Sequence, residues 1–292
     1  MSIKHQILAI SACIIWSAAF LLVKLGLEDM PPFLLSGSRF IIAGLMIMPF
    51  LFPFRKTFRE IFNNKLLIIK TSLFQTIILY GLFFVAMQYV RGAQASIIIG
   101  SSPIISAIVA HFMQKNDKLT MTRFFSFLLG VFGVIVTTLS SKPWGAGGKG
   151  EFVGILLLLA GSVSSSIANV FVSQNQKKLS PMILNSSQMF FGGCVLFCIS
   201  LIIEPMPQVI LPINFWFGLF GLAFISAAGF SIWFYLLGFE KVSNLNTWKF
   251  LIPVGGSILS WLFLPNESPD LAGIAGIILV CSAILLCKKT VK

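Results

Sequence analysis

The sequence predicts an all-α polytopic membrane protein of ten transmembrane helices arranged as two inverted five-helix repeats. Three observations carry that expectation. Of the 292 residues, 57% are hydrophobic and only 10% charged, with a mean hydropathy of +0.95. A soluble domain is about 45–50% apolar and about 25% charged, so too little polar surface remains here to cover a water-soluble globule. Next, the apolar residues fall in runs of about 20, the length that crosses a bilayer as a helix. Finally, the first half of the chain recurs in the second.

In chain order the runs lie at 7–27, 33–52, 67–89, 93–113, 121–139, 152–172, 182–203, 214–237, 244–264 and 271–287. They are continuously apolar, unlike the alternating ten-residue segments of a membrane β-barrel. The first follows Lys4 and, with "SAA" as a cleavage site, has the outline of a signal peptide. It has a partner later in the chain, so it is read as a span. The second carries Arg39 some seven residues in. The fourth and ninth carry Pro103 and Pro253, and the ninth adds Lys249 four residues before its proline. Connections are short, which leaves little mass outside the membrane.

The charge of +12 is distributed by topology. With the N-terminus inside and ten spans threaded, 16 of the 21 basic residues fall on the inner side, and only Lys24, Arg39, Arg91, Lys142 and Lys149 on the outer. Of the acids, Glu60, Asp117 and Glu240 lie inside and the other six outside. This asymmetry is the positive-inside rule and predicts a cell-membrane protein with both termini cytoplasmic. It accounts for the basic balance without a nucleic-acid partner.

Shifted by 149 residues, "LEDMPPFLLSGSRFIIAG" lies over "QKKLSPMILNSSQMFFGG": Pro32 on Pro181, Ser38 on Ser187, Arg39 on Gln188, Gly44 on Gly193. Ser17 meets Ser166 in the same register, and with a shift of 150 Pro103 falls on Pro253. Five helices per copy force the second copy to enter the membrane from the opposite side. Inverted repeats of this kind recur in transporters, with the substrate site near the midplane between halves. The expected division is 1–141 for the first repeat, 142–151 as a glycine-bearing connector and 152–292 for the second.

The pattern "W…K…PP…RF..AG" in the first two spans, with "SIIIGSSPIISAIVA" and "FLIPVGGSILSWLFLPNES" later on, resembles the EamA-type transporters of the drug/metabolite transporter superfamily. The resemblance covers essentially the whole chain as two copies of the family's repeat. It implies ten helices, a central cavity and alternating access for small metabolites or drugs, and leaves the substrate open. Lys249 departs from the family, many of whose members carry an uncharged residue there.

Candidate working residues follow from the cost of polarity in lipid. A proline cannot donate its N–H and obstructs the carbonyl four residues back; at Pro103 and Pro253 those carbonyls belong to Ile99 and Lys249. Freed backbone must find a partner or line a cavity, which places Ser101 and Ser102 near the cavity, or else makes both prolines simple packing kinks. Lys249 either snorkels to the inner headgroups or supplies cavity charge to an acidic substrate group. Arg39 is read as structural or gating, together with Pro103 and Pro253. Further candidates for the lining are Asn246, Gln188, Asn169, Ser165, Tyr80 and Tyr235, with Trp16 and Trp233 as apolar walls. Each is also a plausible helix–helix contact.

No Asp or Glu lies deep in any span, which counts against proton-coupled export of cationic drugs. The five cysteines all fall inside spans without metal-site spacing, and no metal or cofactor is expected. "GAGGKG" lacks the phosphate-loop spacing and its following Ser/Thr, so the chain reads as no enzyme. The expected function is an alternating-access exporter, uniporter or exchanger of a small polar metabolite such as an amino acid or organic acid, embedded in the lipid bilayer. A lipid-headgroup flippase or a non-transporting scaffold is the alternative. Oligomeric state is not read from the sequence.

Overall fold

The computed structural model describes residues 1–90, 95, 98–138, 149–205, 211–263 and 271–289, and these are helices joined by short turns. The connector expected at 142–151 lies outside them up to residue 148; Lys149 already opens a helix. Six helical stretches among the described residues are long and apolar enough to cross a membrane: Ile3–Asp29, Pro32–Phe50, Lys65–Tyr89, Lys149–Gln174, Pro181–Ile203 and Ile213–Leu236. Ile98–Met113, Met121–Val136 and Gly273–Cys287 are shorter apolar helices. Ile202, Phe217 and Ile278 stand exposed on the outside, as lipid-facing side chains do. The protein is a multi-pass membrane protein.

Helix α1 (Ile3–Ser17) and α2 (Ala19–Asp29) form one span interrupted at Ala18. The cause is local. Ser17 Oγ lies 2.8 Å from both the Cys13 and the Ile252 carbonyl oxygens, and back-bonding of a serine to the i−4 carbonyl bends helices. Helix α3 (Pro32–Ile47) starts on a proline, whose missing N–H costs nothing at that position. The Glu204 carboxylate accepts from the Phe33 and Leu34 amides (2.8 and 2.9 Å), filling two open donors of its first turn.

A short amphipathic helix follows, α4 (Phe54–Asn63). Phe54, Phe58 and Phe62 recur every four residues and are exposed, while Arg55, Lys56 and Arg59 are charged, the pattern of a helix lying in the membrane interface. The segment lies between the expected runs at 33–52 and 67–89. The next span joins α5 (Lys65–Thr71) to α6 (Leu79–Tyr89) through a π-helical stretch, Ser72–Ile78. That widening loosens a carbonyl: Phe74 O accepts from Ser164 Oγ at 2.6 Å. Then come α7 (Ser102–Met113), α8 (Met121–Thr138), α9 (Lys149–Gln174), α10 (Pro181–Ile203) and α11 (Ile213–Leu236). The expected run at 244–264 is broken into α12 (Val242–Asn246), a 3₁₀ turn (Thr247–Phe250) and α13 (Leu251–Phe263), before the last helix, α14 (Leu271–Lys289).

Packing pairs equivalent elements of the two halves. The most extensive contact joins α3 to α10, running antiparallel with Gly37 against Phe197, Gly44 against Phe190 and Gly193 against Ile41. A Cβ on Gly37 would stand 2.6 Å from the Phe197 backbone nitrogen, so only glycine allows this approach. Helices α8 and α14 make the corresponding pair, with Gly133 against Val280. Likewise α1 packs on α11 and α13 while α9 packs on α6 and α7. These reciprocal contacts leave a space between the halves.

Candidate functional site

That space is a cavity of about 110 Å³. Its wall draws on both halves: Trp16 from α1, Arg39 from α3, Gln75 from the π-helical stretch, Tyr80 and Phe83 from α6, and Ser102 from α7. Leu158, Gly161, Ser162 and Ser165 of α9, Phe230 of α11, Lys249 of the 3₁₀ turn and Ile252 of α13 face it from the other side. No carboxylate lines it among the described residues.

The helix breaks put polar groups there. Pro103 sits in the first turn of α7, and the chain before it turns at Ser101. Pro253 is likewise three residues into α13, directly after the 3₁₀ turn that holds Lys249. The two breaks meet: a Cβ on Gly100 would lie 2.9 Å from Pro253 Cγ. Carbonyls near the second break lie against α1, with Trp248 O accepting from Cys13 Sγ (3.2 Å) and Ile252 O sharing the Ser17 hydroxyl with the Cys13 carbonyl.

Arg39 is 1% exposed. Its Nε donates to Ser226 Oγ at 2.7 Å, and its guanidinium carbon lies 5.1, 5.4 and 5.9 Å from the ring centroids of Phe40, Tyr80 and Phe84. Lys249 Nζ stands 5.1 Å from the Trp233 ring centroid. Neither cation has a carboxylate within ion-pairing distance among the described residues. Trp16 Nε1, Gln75 Oε1 and Ser102 Oγ are buried on the same wall without a hydrogen-bond partner. The cavity therefore offers two positive groups, an open indole donor, an open amide acceptor and an open hydroxyl that can do either, set among aromatic and aliphatic walls.

Of the residues singled out in the sequence, Lys249, Ser102, Ser165, Tyr80, Trp16 and Arg39 line the cavity. Others are engaged elsewhere. Ser101 Oγ is spent on the Ile98 carbonyl (2.6 Å). Gln188 bonds Thr76 Oγ1 and donates to Asn185 Oδ1 (3.1 Å), cross-linking α10 to the π-helical stretch. Asn169 Nδ2 faces Asn246 Oδ1 at 3.4 Å, joining α9 to α12. Trp233 is fully buried one layer back, against Trp16 and Lys249. Tyr235 packs on His5 and Phe239, away from the cavity. Sequence reasoning missed Ser162, Gly161, Phe83 and Phe230 as wall residues. Leu158, Gly161, Ser162 and Ser165 do carry a signal, an i, i+3, i+4, i+7 stripe along one face of α9.

A multi-pass helical protein enclosing a charged cavity between two matching halves has the build of a membrane carrier. The chain belongs to the EamA-like transporter family, whose sequence profile matches residues 3–139 and 152–287. It is 26% identical over 285 residues to the uncharacterized transporter YoaV of Bacillus subtilis, covering 97% of this chain and 96% of that protein. An uncharacterized transporter of Archaeoglobus fulgidus is 24% identical over 297 residues, covering 99% of each. A crystal structure with a TM-score of 0.77 and 17% identity covers all of both chains and shares the fold.

Proposed function

We propose that this chain is an alternating-access transporter of a small polar metabolite such as an amino acid or organic acid. In this reading it has ten spans in two inverted five-helix repeats, residues 1–141 and 152–292, that rock about the central cavity. The observation that carries it is the wall itself: two cations, Arg39 and Lys249, without counter-charges among the described residues, together with Trp16 Nε1, Gln75 Oε1 and Ser102 Oγ left without hydrogen-bond partners there. Buried polar groups in native proteins are generally hydrogen-bonded, so a cluster left open around a cavity is supported best by a ligand that completes it. The asymmetry of basic residues supports a cell-membrane location with both termini cytoplasmic.

The test is uptake by proteoliposomes of a labelled pool of amino acids, organic acids and sugars, with and without a pH gradient. Accumulation or equilibration of one class above protein-free vesicles is the expected result. No flux of any solute, with movement of a labelled lipid between leaflets, would replace transport by a flippase role. No flux of either would leave a scaffold.

A further inference from the structure

We infer that the cavity takes an organic anion with an apolar or aromatic body and no ammonium group, which separates organic acids from α-amino acids among the candidate cargoes. This rests on the transport reading and narrows it.

Charge comes first. Arg39 and Lys249 face one small cavity, and no carboxylate among the described residues neutralises either. Charges buried in a low-dielectric interior are stable when paired, and a ligand anion supplies the missing partner. Among the described residues Arg39 spends only Nε on a protein hydrogen bond, donating to Ser226, so the remaining guanidinium donors can fork onto a carboxylate or similar oxyanion.

The second step concerns what an amino acid would need in addition. An ammonium group is held by a carboxylate, by several carbonyl or hydroxyl acceptors, or by aromatic faces. No carboxylate lines the wall among the described residues. Two of the nearby aromatic faces already carry the protein's own cations: Tyr80 lies under Arg39 and Trp233, behind the wall, under Lys249. The open faces of Trp16, Phe83 and Phe230 share the cavity with both charges. A ligand ammonium would meet two like charges, and like-charge juxtaposition suppresses wrong partners. Besides serine hydroxyls, of which Ser106 and Ser162 are already bonded within the protein, the wall is apolar, with Leu79, Phe83, Leu158, Phe230 and Ile252, which suits a hydrocarbon or ring. The open acceptor Gln75 Oε1 and the open donor Trp16 Nε1 suit a neutral hydroxyl or carbonyl on it.

The experiment compares matched probes on the purified protein in nanodiscs: 3-phenylpropionate, phenylalanine and 3-phenylpropionamide, then butyrate, 2-aminobutyrate and butyramide. Binding is read by thermal unfolding and by tryptophan fluorescence, since Trp16 lies on the wall. In at least one set the acid is expected to bind about tenfold or more tightly than its amino acid and its amide. Lys249→Gln should remove that preference and Lys249→Arg keep it, both with unaltered unfolding of the ligand-free protein. An amino acid or amide matching the acid, or no acid binding up to about 10 mM, overturns the inference. The same probes in proteoliposomes separate the two readings. Selective acid binding without flux would overturn transport and leave the anion site, whereas flux of amino acids without acid preference would do the reverse.

Discussion

The ammonium of Lys249 lies over the indole of Trp233, 5.1 Å from the ring centroid, and Trp233 in turn packs its ring 5.0 Å from that of Trp16 on the cavity wall. The lysine ammonium therefore rests on an aromatic layer beside the cavity that it lines. Cation–π contacts are worth about 0.5–2 kcal/mol, most with tryptophan. Trp233→Phe keeps a face of smaller quadrupole, and the KM for a transported anion is expected to rise about threefold with little change in unfolding temperature. Trp233→Leu removes the face and a fully buried ring, so the KM should rise further and the unfolding temperature should fall. A Phe variant with unchanged KM would show that the lysine does not depend on this ring.

Ser226 is the only hydrogen-bond partner of the Arg39 side chain among the described residues. Its hydroxyl donates to the Leu222 carbonyl (2.9 Å) and accepts from Arg39 Nε (2.7 Å), so one small residue fixes the guanidinium in its aromatic nest. Hydrogen bonds to charged groups are worth about 1.5–3 kcal/mol. Ser226→Ala should raise the KM for an anion roughly tenfold and lower the unfolding temperature modestly, with maximal flux nearly unchanged. A loss of stability with KM unaltered would make the contact purely structural.

Glycines along α3 and α11 should respond in opposite ways. At Gly37 an added Cβ meets the Phe197 backbone at 2.6 to 2.8 Å, and neither helix can give without parting from the other. Gly37→Ala is expected to destabilise by about 1–3 kcal/mol through overpacking, visible as lower unfolding temperature and yield. At Gly218 nothing lies within 4 Å of the Cβ position, so Gly218→Ala should be neutral or gain up to about 1 kcal/mol of helix propensity. Equal losses at both sites would mean that generic helix flexibility, not the α3–α10 contact, sets the response.

Much of this was legible because repetition and the cost of charge in lipid both act locally on sequence. Pro103 and Pro253 mark the two helix breaks, and Lys249 and Arg39 stand out as charges in apolar runs. What lay beyond reach depends on partners distant in the chain. Gln188 is the counterpart of Arg39 in the repeat, yet it faces Thr76 and Asn185 rather than the cavity. Asn169 and Asn246 fit either a cavity lining or a helix–helix contact by sequence, and the fold sets them side by side. The interfacial helix α4 was hidden for a different reason: its charges serve the topology rule as well as its phenylalanines serve the membrane surface, and the charges dominated the reading.

The most consequential pairing of that distant kind is the cluster at Asp117. This carboxylate, 2% exposed, accepts from Arg123 Nη1 (3.1 Å), from the Ser243 amide (2.8 Å) and from the Ser243 hydroxyl. Asp117 and Arg123 belong to the first family-matched segment and Ser243 to the second, so the cluster ties the turn before α8 to the first turn of α12. Removing one member of a buried ion pair costs about 3–5 kcal/mol, because the other is left bare. Asp117→Asn should approach the lower figure, since the amide still offers one acceptor to Ser243. Arg123→Leu should cost as much on its own. Combined, the two should cost clearly less than the sum of the single effects, because the double variant buries no lone charge. Unfolding in detergent measures all three. Strict additivity would mean that each residue is held independently, and that the two halves are not joined through this carboxylate.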